Sequence, residues 1–194
     1  MLATLVLSEL LRICAPNVAP QTMAAIVHVE SGGKVYALHD NTLKRSFSAA
    51  SPAQAIAWAQ RLVDLGHSVD IGLSQVNSAN LPGLGLTVAD AFGPCTNLHA
   101  GATILGGDYA SAVRQFGPGQ YALRRALGAY NTGSLYAGQD YINEILVAAG
   151  MPPEGGPSAP PATSQAQTVT QAAHPDYTTR HVPGSPVEII QGNQ

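Results

Sequence analysis

The sequence contains little charge of either sign and no surplus of basic residues. Only 11% of its 194 residues are charged, and the formal net charge is −3, whereas an average soluble domain has roughly 25% charged residues. Nucleic-acid-binding proteins contact phosphates through clustered Lys and Arg, so we expect no nucleic acid partner. No apolar run approaches the ~18 residues of a membrane-spanning helix. We therefore expect a soluble chain without a membrane span.

Cysteine is also scarce, since Cys14 and Cys95 are the only two in the chain. Two cysteines cannot define a disulfide scaffold, and these do not form a CxxC pair. In an oxidising compartment they could join and close a loop of about 80 residues, which stabilises a protein by at most ~4 kcal/mol in the chain-entropy model. The alternative is two buried thiols. A disulfide is favoured on the condition that the protein is periplasmic.

The apolar residues at the start of the chain lack the features of a signal peptide. No positive charge lies ahead of the apolar run in residues 1–11. Glu9 and Arg12 occupy the region where cleavage by signal peptidase would be expected. We interpret this stretch as an amphipathic first helix. The localisation must therefore be inferred from the function.

The composition changes near Gly150. Residues 151–194 hold eight of the fourteen prolines, together with many Ser, Thr and Gln residues. Such a segment buries too little apolar surface to offset the entropy of ordering it. We predict one compact domain over residues 1–150 and a disordered tail over 151–194 that tethers the protein or binds a partner.

The domain is predicted to be mainly α-helical with a minor β element. Apolar residues recur at helical spacing after Pro20, and Gly32 and Gly33 end that helix. Further helices are predicted from Ser51 to Gly66, from about 98 to 116, around 123–130 and over about 135–149. The β-prone runs lie at 34–47 and 69–71.

Glu30 interrupts the apolar stripe of its helix. It follows Met23, Ile26 and Val27 at helical spacing, where an aliphatic residue would be expected. It also lies at the helix C-terminus, where the macrodipole disfavours negative charge. Burial and the dipole both raise the pKa of a carboxyl group, and a protonated acid is what glycosidic cleavage requires. The alternative is a frayed helix end with Glu30 in water.

Two later segments carry polar residues suited to sugars. In the segment 72–77, Gln75 and Asn77 offer amide donors and acceptors for N-acetyl and hydroxyl groups, and Gly72 allows close approach of the backbone. In the segment 129–133, Tyr130 completes the buried face of a helix, so its hydroxyl needs an internal partner such as a carboxyl group. Polar turns and core tyrosines are common, so each segment alone is weak evidence.

The three segments, in order, resemble a known family. Glu30-Ser31-Gly32, Gly72-Leu73-Ser74-Gln75-Val76-Asn77 and Ala129-Tyr130-Asn131-Thr132-Gly133 are similar to the Glu-Ser, Gly-Leu-Met-Gln-Ile-Asn and Ala-Tyr-Asn-Ala-Gly motifs of lytic transglycosylases with the goose-type lysozyme fold. Residues 14–16, 18–20, 22–27 and 94–98 resemble the subgroup that serves type IV secretion and conjugation systems. The departures are Ser74 for Met, which could alter packing against a sugar ring, and Thr132 for Ala.

The resemblance implies a lysozyme-like α+β domain that cleaves peptidoglycan glycan strands in the periplasm. Glu30 would act as acid and then as base, giving a 1,6-anhydro product, and Tyr130 would hold Glu30 by a hydrogen bond. The resemblance assigns substrate binding to Ser31, Gln75, Asn77, Tyr130 and Asn131. It implies no cofactor, and its subgroup implies that secretion components bind the tail.

Three alternatives remain. If Asp40 or Asp70 positions a water molecule, the protein is a hydrolytic lysozyme instead. A degenerate domain would be a non-catalytic peptidoglycan-binding scaffold of a secretion complex. His28-Val29-Glu30 with Pro94-Cys95 is also similar to a zinc-deaminase pattern, but position 98 is Leu where that pattern has its second cysteine. We therefore expect no metal.

Overall fold

The computed structural model describes residues 4–154. Residues 155–194 lie outside this range, and so does nearly all of the predicted tail. Within the described residues, no helix is both long and apolar enough to cross a membrane. The helices are α1 (Thr4–Cys14), α2 (Pro20–Ser31), α3 (Pro52–Asp64), α4 (Leu81–Leu84), α5 (Pro94–Phe116), α6 (Gln120–Thr132) and α7 (Gln139–Ala148); the strands are β1 (Ala37–Asp40), β2 (Arg45–Ser48), β3 (Val69–Ile71) and β4 (Val76–Asn77).

The mainly helical prediction with a small β element is confirmed. The helix N- and C-termini follow local chemistry: Ser51 caps α3 by accepting a hydrogen bond from the Gln54 backbone N–H, and Gly32 ends α2 in a left-handed conformation with φ of 59°. The first stretch is helical from Thr4, and it buries Leu11 and Cys14 in the core.

The last helix begins later than predicted. We expected it to start near residue 135, but α7 starts at Gln139. Gly138 has a φ of 84°, a left-handed conformation that an α-helix cannot continue through. The turn before it packs so closely on α6 that a methyl group at Gly128 would collide with the Ala137 carbonyl oxygen.

The four strands form one antiparallel sheet in the order β2-β1-β3-β4. Ser46 pairs with His39, His39 with Asp70, and Asp70 with Asn77. Directly paired residues share a face of a sheet, so these four make a polar row across all four strands. The opposite face carries the next row, Phe47, Leu38, Ile71 and Val76, which packs into a hydrophobic cluster with α3 and α5.

Two hydrophobic clusters support the domain. One lies among the helices α1, α2, α5, α6 and α7, and the other lies beneath the sheet. Tyr130 packs against both clusters, so the cleft described below lies where the helical part meets the sheet. A disulfide joins Cys14 at the end of α1 to Cys95 in the first turn of α5, with their Cα atoms 5.1 Å apart.

Candidate active site

A cleft of about 450 Å³ runs between the sheet and the ends of α2 and α6. Its walls bring together parts of the chain that are far apart in sequence, including all three motif segments. The lining side chains include Glu30, Asn41, Asp70, Gln75, Asn77, Tyr130 and Asn131. No group of His, Cys, Asp and Glu side chains in residues 4–154 is arranged to hold a metal ion.

Glu30 projects into this cleft from the last turn of α2. Burial raises the pKa of its carboxyl group to about 7, a hydrogen bond from Tyr141 acts in the opposite direction, and the charges of Asp70 and Glu144 add to the rise. The helix end contributes no compensating positive charge, because its carbonyl groups point toward the C-terminus. The structure therefore does not support the alternative in which Glu30 extends into bulk water.

The phenol that holds Glu30 is Tyr141, whereas we expected Tyr130. The Tyr141 hydroxyl on α7 donates to Glu30 Oε1 over 2.6 Å. Burial, followed by the charge of Glu30, raises the pKa of Tyr141 well above its ordinary value, so this phenol remains a donor at neutral pH. Tyr130 donates its single hydroxyl proton to the Ser74 carbonyl oxygen over 2.7 Å.

The segment 72–77 forms a tight turn that cannot be built without its glycine. Gly72 has a φ of 79°, and a Cβ atom there would lie 2.5 Å from Asn97 Nδ2. Gln75 has a φ of 47°, an uncommon conformation for a residue with a side chain. Such backbone strain persists only where surrounding contacts fix it.

Contacts from three helices fix this turn. Ser31 Oγ on α2 donates to the Leu73 carbonyl oxygen over 2.8 Å, and Asn97 Oδ1 on α5 accepts from the Ser74 backbone N–H over 2.7 Å. Tyr130 on α6 makes the third contact. Ser31 is only 8% exposed, so its hydroxyl ties the turn to the helix that carries Glu30.

Ser74 does not lie where a sugar ring could touch it. The sequence left open that its replacement of Met alters packing against a sugar ring, but the residue is fully buried. Its side chain packs so closely against α5 that a Cβ atom on Gly101 would lie 2.6 Å from Ser74 Cβ. The departure from the family motif therefore affects the packing between the turn and α5.

The side-chain amides of Gln75 and Asn77 differ in which of their hydrogen-bonding atoms remain available to a ligand. Asn77 Nδ2 donates to Asp70 Oδ1 over 2.6 Å and to Ser68 Oγ over 2.8 Å, and its Oδ1 accepts from the Ala79 N–H over 2.9 Å. These bonds use both amide protons of Asn77. Gln75 Nε2 donates to the Gly72 carbonyl oxygen over 2.9 Å, and no such bond engages its Oε1 within the described residues. Gln75 is thus better placed than Asn77 to accept a hydrogen bond from a sugar.

The two aspartates that we considered as second carboxylates lie in different places. Asp40 is fully buried at the end of β1 and does not line the cleft. Burial would raise its pKa, but hydrogen bonds from His67 and from the Leu43 and Thr42 N–H groups outweigh burial and lower it. Asp40 therefore stabilises the hairpin turn.

Asp70 lines the cleft together with Glu30. Burial raises the pKa of Asp70, while hydrogen bonds from Asn41 and Asn77 and the charges of His39 and Lys44 counteract this rise. Its Oδ2 accepts from Asn41 Nδ2 over 2.7 Å. Both carboxylate oxygens of Asp70 thus bind cleft amides, and its charge acts on Glu30.

Sequence reasoning missed Tyr141 and the role of Asn97. Both lie on the buried stripes of their helices, and a buried polar group requires a partner. Tyr141, like Tyr130, lies on the buried face of its helix, so its hydroxyl equally needs an internal partner. Which of the two hydroxyl groups reaches Glu30 depends on how α6 and α7 pack, and the sequence pattern does not contain that information.

The described residues thus form an α+β domain with a small antiparallel sheet and a cleft that carries one strongly perturbed acid. The transglycosylase SLT domain family matches residues 11–143, and the chain belongs to that family. No solved structure matches the chain significantly.

Curated relatives match about 70% of the chain. The chain is similar to the protein virB1 of Agrobacterium fabrum, with 42% identity over 140 residues that cover 71% of this chain and 57% of that protein. It is also similar to the type IV secretion system protein virB1 of Brucella abortus, with 41% identity over 144 residues, 70% of this chain and 60% of that protein. The chain therefore spans less than two thirds of the length of these relatives.

Proposed function

We propose that the protein is a lytic transglycosylase that cleaves the β-1,4 bond between N-acetylmuramic acid and N-acetylglucosamine in peptidoglycan. One observation carries this proposal: Glu30 lies in the cleft with a pKa of about 7, held by a phenol that stays protonated. An acid that is protonated near neutral pH can donate to a glycosidic oxygen, and the carboxylate it leaves can accept a proton in the next step.

The two steps need only this one acid. Glu30 donates its proton to the glycosidic oxygen, the bond to C1 of the muramic acid breaks, and the N-acetyl group of the same sugar stabilises the positive charge at C1. The ionised Glu30 then takes the proton of the C6 hydroxyl, whose oxygen bonds to C1 and gives the 1,6-anhydro ring. No water is consumed, and Glu30 ends as it began. Tyr141 stabilises the carboxylate that forms between the steps.

The polar lining of the cleft suits a substrate rich in amides and hydroxyl groups. Gln75, Asn41 and Asn131 line the same walls as Glu30, and amide side chains can both donate to and accept from sugars. Among these lining residues, Asn131 is exposed and can approach a bound strand. These positions support the assignment of substrate binding to Gln75, Asn131 and Tyr130. For Ser31 and Asn77 we propose supporting roles within the protein, because their side chains bind other parts of the chain.

The relatives that carry the virB1 name support a proposal about where the protein acts and which apparatus it serves. The Brucella abortus protein is described as a type IV secretion system protein, and such an apparatus must cross the cell wall. We infer that this protein acts in the periplasm and opens peptidoglycan locally for a secretion or conjugation apparatus. The predicted tail over residues 151–194 would then contact components of that apparatus.

The central test replaces the acid. Glu30→Gln removes the transferable proton with almost no change of shape, so we expect cleavage of purified sacculi to fall by about 10²–10⁴-fold while binding to the sacculi persists. Glu144→Gln is the matched control, because it removes an exposed acid whose charge also acts on Glu30 but leaves the cleft acid in place. Equal cleavage by Glu30→Gln and the wild type would reject the assignment. If the wild type binds sacculi but releases nothing, the protein is a non-catalytic scaffold.

Asp70 supports a second candidate function, that of a hydrolytic lysozyme. It lies in the cleft with Glu30 and could position a water molecule there. Mass spectrometry of the released muropeptides separates the two reactions, because the transglycosylase gives 1,6-anhydro ends and the lysozyme gives reducing ends. Reducing ends alone would overturn the proposal in favour of the lysozyme.

A further inference from the structure

The polar row of the sheet continues the cleft wall beyond the cleft itself. Asp70 and Asn77 line the cleft, and His39 and Ser46 follow on the same face by strand register. Strands lie about 4.8 Å apart, so this row extends roughly 10 Å from Asp70 to the edge strand. His39 Nδ1 lies 2.9 Å from Ser46 Oγ, which links the two outer members.

A cation lies at the outer end of this surface. Lys44, in the turn between β1 and β2, is close enough for its charge to act on Asp70. Its charge therefore reaches the cleft side of the sheet, where Asp70 lies. The neighbouring Arg45 is placed differently, because its guanidinium lies over the Phe47 ring at 5.4 Å from the centroid, and Phe47 belongs to the opposite face.

The turn holds Lys44 in an unusual conformation. Asp40 Oδ1 accepts from the Thr42 and Leu43 N–H groups, and Lys44 has a φ of 55°, a region that Asn and Gly occupy far more readily than Lys. Within the described residues, Lys44 forms no ion pair. The turn thus fixes the backbone that carries this exposed cation.

The charges at the cleft indicate what this cation binds. The charged side chains that line the cleft are Glu30 and Asp70, so the cleft itself suits uncharged sugars. In peptidoglycan the negative charge belongs to the stem peptides, which carry free carboxylates and are attached to alternate sugars. We propose that the polar row and Lys44 form a subsite for the stem peptide of a bound strand, in which Lys44 contacts its carboxylates. This proposal rests on the proposed function.

The test compares peptidoglycan glycan strands with the same strands after an amidase has removed their peptides. Because the amidase leaves a free lactyl carboxylate on each muramic acid, that carboxylate is first converted to its methylamide, so the two substrates differ in the peptide and the stripped strand carries no new charge. Binding is measured in the Glu30→Gln background, so the result does not depend on cleavage. Lys44→Asn removes the charge and suits the left-handed backbone. The quantity compared is the affinity for peptide-bearing strands divided by the affinity for stripped strands. We expect Lys44→Asn to lower this ratio about two- to fivefold, as for the loss of one solvent-exposed charge pair. In the protein that keeps Lys44, the ratio should also fall when salt is added.

Two matched variants complete the experiment. Lys44→Arg keeps the charge and should retain the wild-type ratio, and Arg45→Gln removes the neighbouring cation on the opposite face and should retain it too. An unchanged ratio in Lys44→Asn would overturn the inference. So would an equal loss of affinity for both strands, because Lys44 would then act only through Asp70. Failure of the wild type to cleave would count against the proposed function and not against this ratio.

Discussion

Two regions of this protein each contain a carboxyl group whose pKa burial raises to about 7. Glu30 lies in the cleft, and Asp108 lies on the buried face of α5 with Leu105 and Ala112. Burial is the largest cause of the rise at both positions. The two groups differ in their surroundings: Glu30 accepts a hydrogen bond from Tyr141, whereas no described residue donates to Asp108 Oδ2.

The comparison shows that a raised pKa does not by itself locate an active site. Both groups destabilise the fold at neutral pH, because each prefers water when it is ionised. Glu30 opens onto a cleft lined with amides and has a donor that stabilises its ionised form. Asp108 does not line the cleft, and no described residue donates to its Oδ2. Glu30 is therefore distinguished as the candidate catalytic acid by its raised pKa together with the hydrogen bond from Tyr141 and its access to the cleft.

The largest expected effect that separates the two regions is on stability. Asp108→Asn should stabilise the protein at pH 8 by at most about 4 kcal/mol, since a shift from 3.8 to about 7 corresponds to roughly 4 kcal/mol at ~1.4 kcal/mol per pKa unit. The folded-state pKa lies above the unfolded one, so the penalty begins near pH 4 and grows until about pH 7. Denaturant unfolding of both proteins at pH 4 and pH 8 measures this.

The same experiment contains its own checks. Below pH 4 the two proteins should differ little, because Asp108 is then neutral in both states. Asp90→Asn serves as a control, since hydrogen bonds from Thr87 lower the pKa of Asp90 and its replacement should not stabilise the protein. Cleavage by Asp108→Asn should match the wild type. A loss of cleavage would show that the second acid also takes part in function.

A smaller effect is expected from removing the donor that distinguishes Glu30. Tyr141→Phe should lower kcat by about 10- to 100-fold, because a hydrogen bond to a charged group contributes roughly 1.5–3 kcal/mol and Glu30 becomes charged during the reaction. The pKa of Glu30 should rise, so the loss of activity above about pH 7 should move to higher pH. Tyr109→Phe is the matched control, since that hydroxyl accepts from the Gly119 N–H. An unshifted profile would show that Tyr141 is only structural.

The sequence was sufficient to predict the longer helices and a small β element, and it singled out Glu30, which lines the cleft. Apolar spacing and capping residues act locally, so α2 and α3 were predicted almost to the residue. The start of α7 was not, because Leu135, Tyr136 and Ala137 continue the helical pattern while the conformation of Gly138 depends on packing against Gly128.

The site was predicted less completely than the fold. Residue type identified the amide-bearing turn, but it did not reveal that Asn77 uses its amide protons within the protein. The pairing of Tyr141 with Glu30 joins residues 111 positions apart, and only the packing of α7 on α2 decides it. Asp108 shows the same limit, since nothing in the sequence of α5 distinguishes a buried acid from one at the surface.

The smallest expected effect concerns Asp70, whose negative charge raises the pKa of Glu30. No such charge contributes to the raised pKa of Asp108. Asp70→Asn should lower the pKa of Glu30, because it removes a charge repulsion of roughly 0.5–1 kcal/mol. Activity should therefore be lost at lower pH than in the wild type, which is the opposite of the shift expected for Tyr141→Phe. The amides of Asn41 and Asn77 can reorient to bind the new side chain, so activity in the acidic range should largely persist. Asp64→Asn, at an exposed position on α3, controls for the loss of charge. A loss of activity at every pH would instead mean that Asp70 positions the attacking water, and the protein would be a lysozyme.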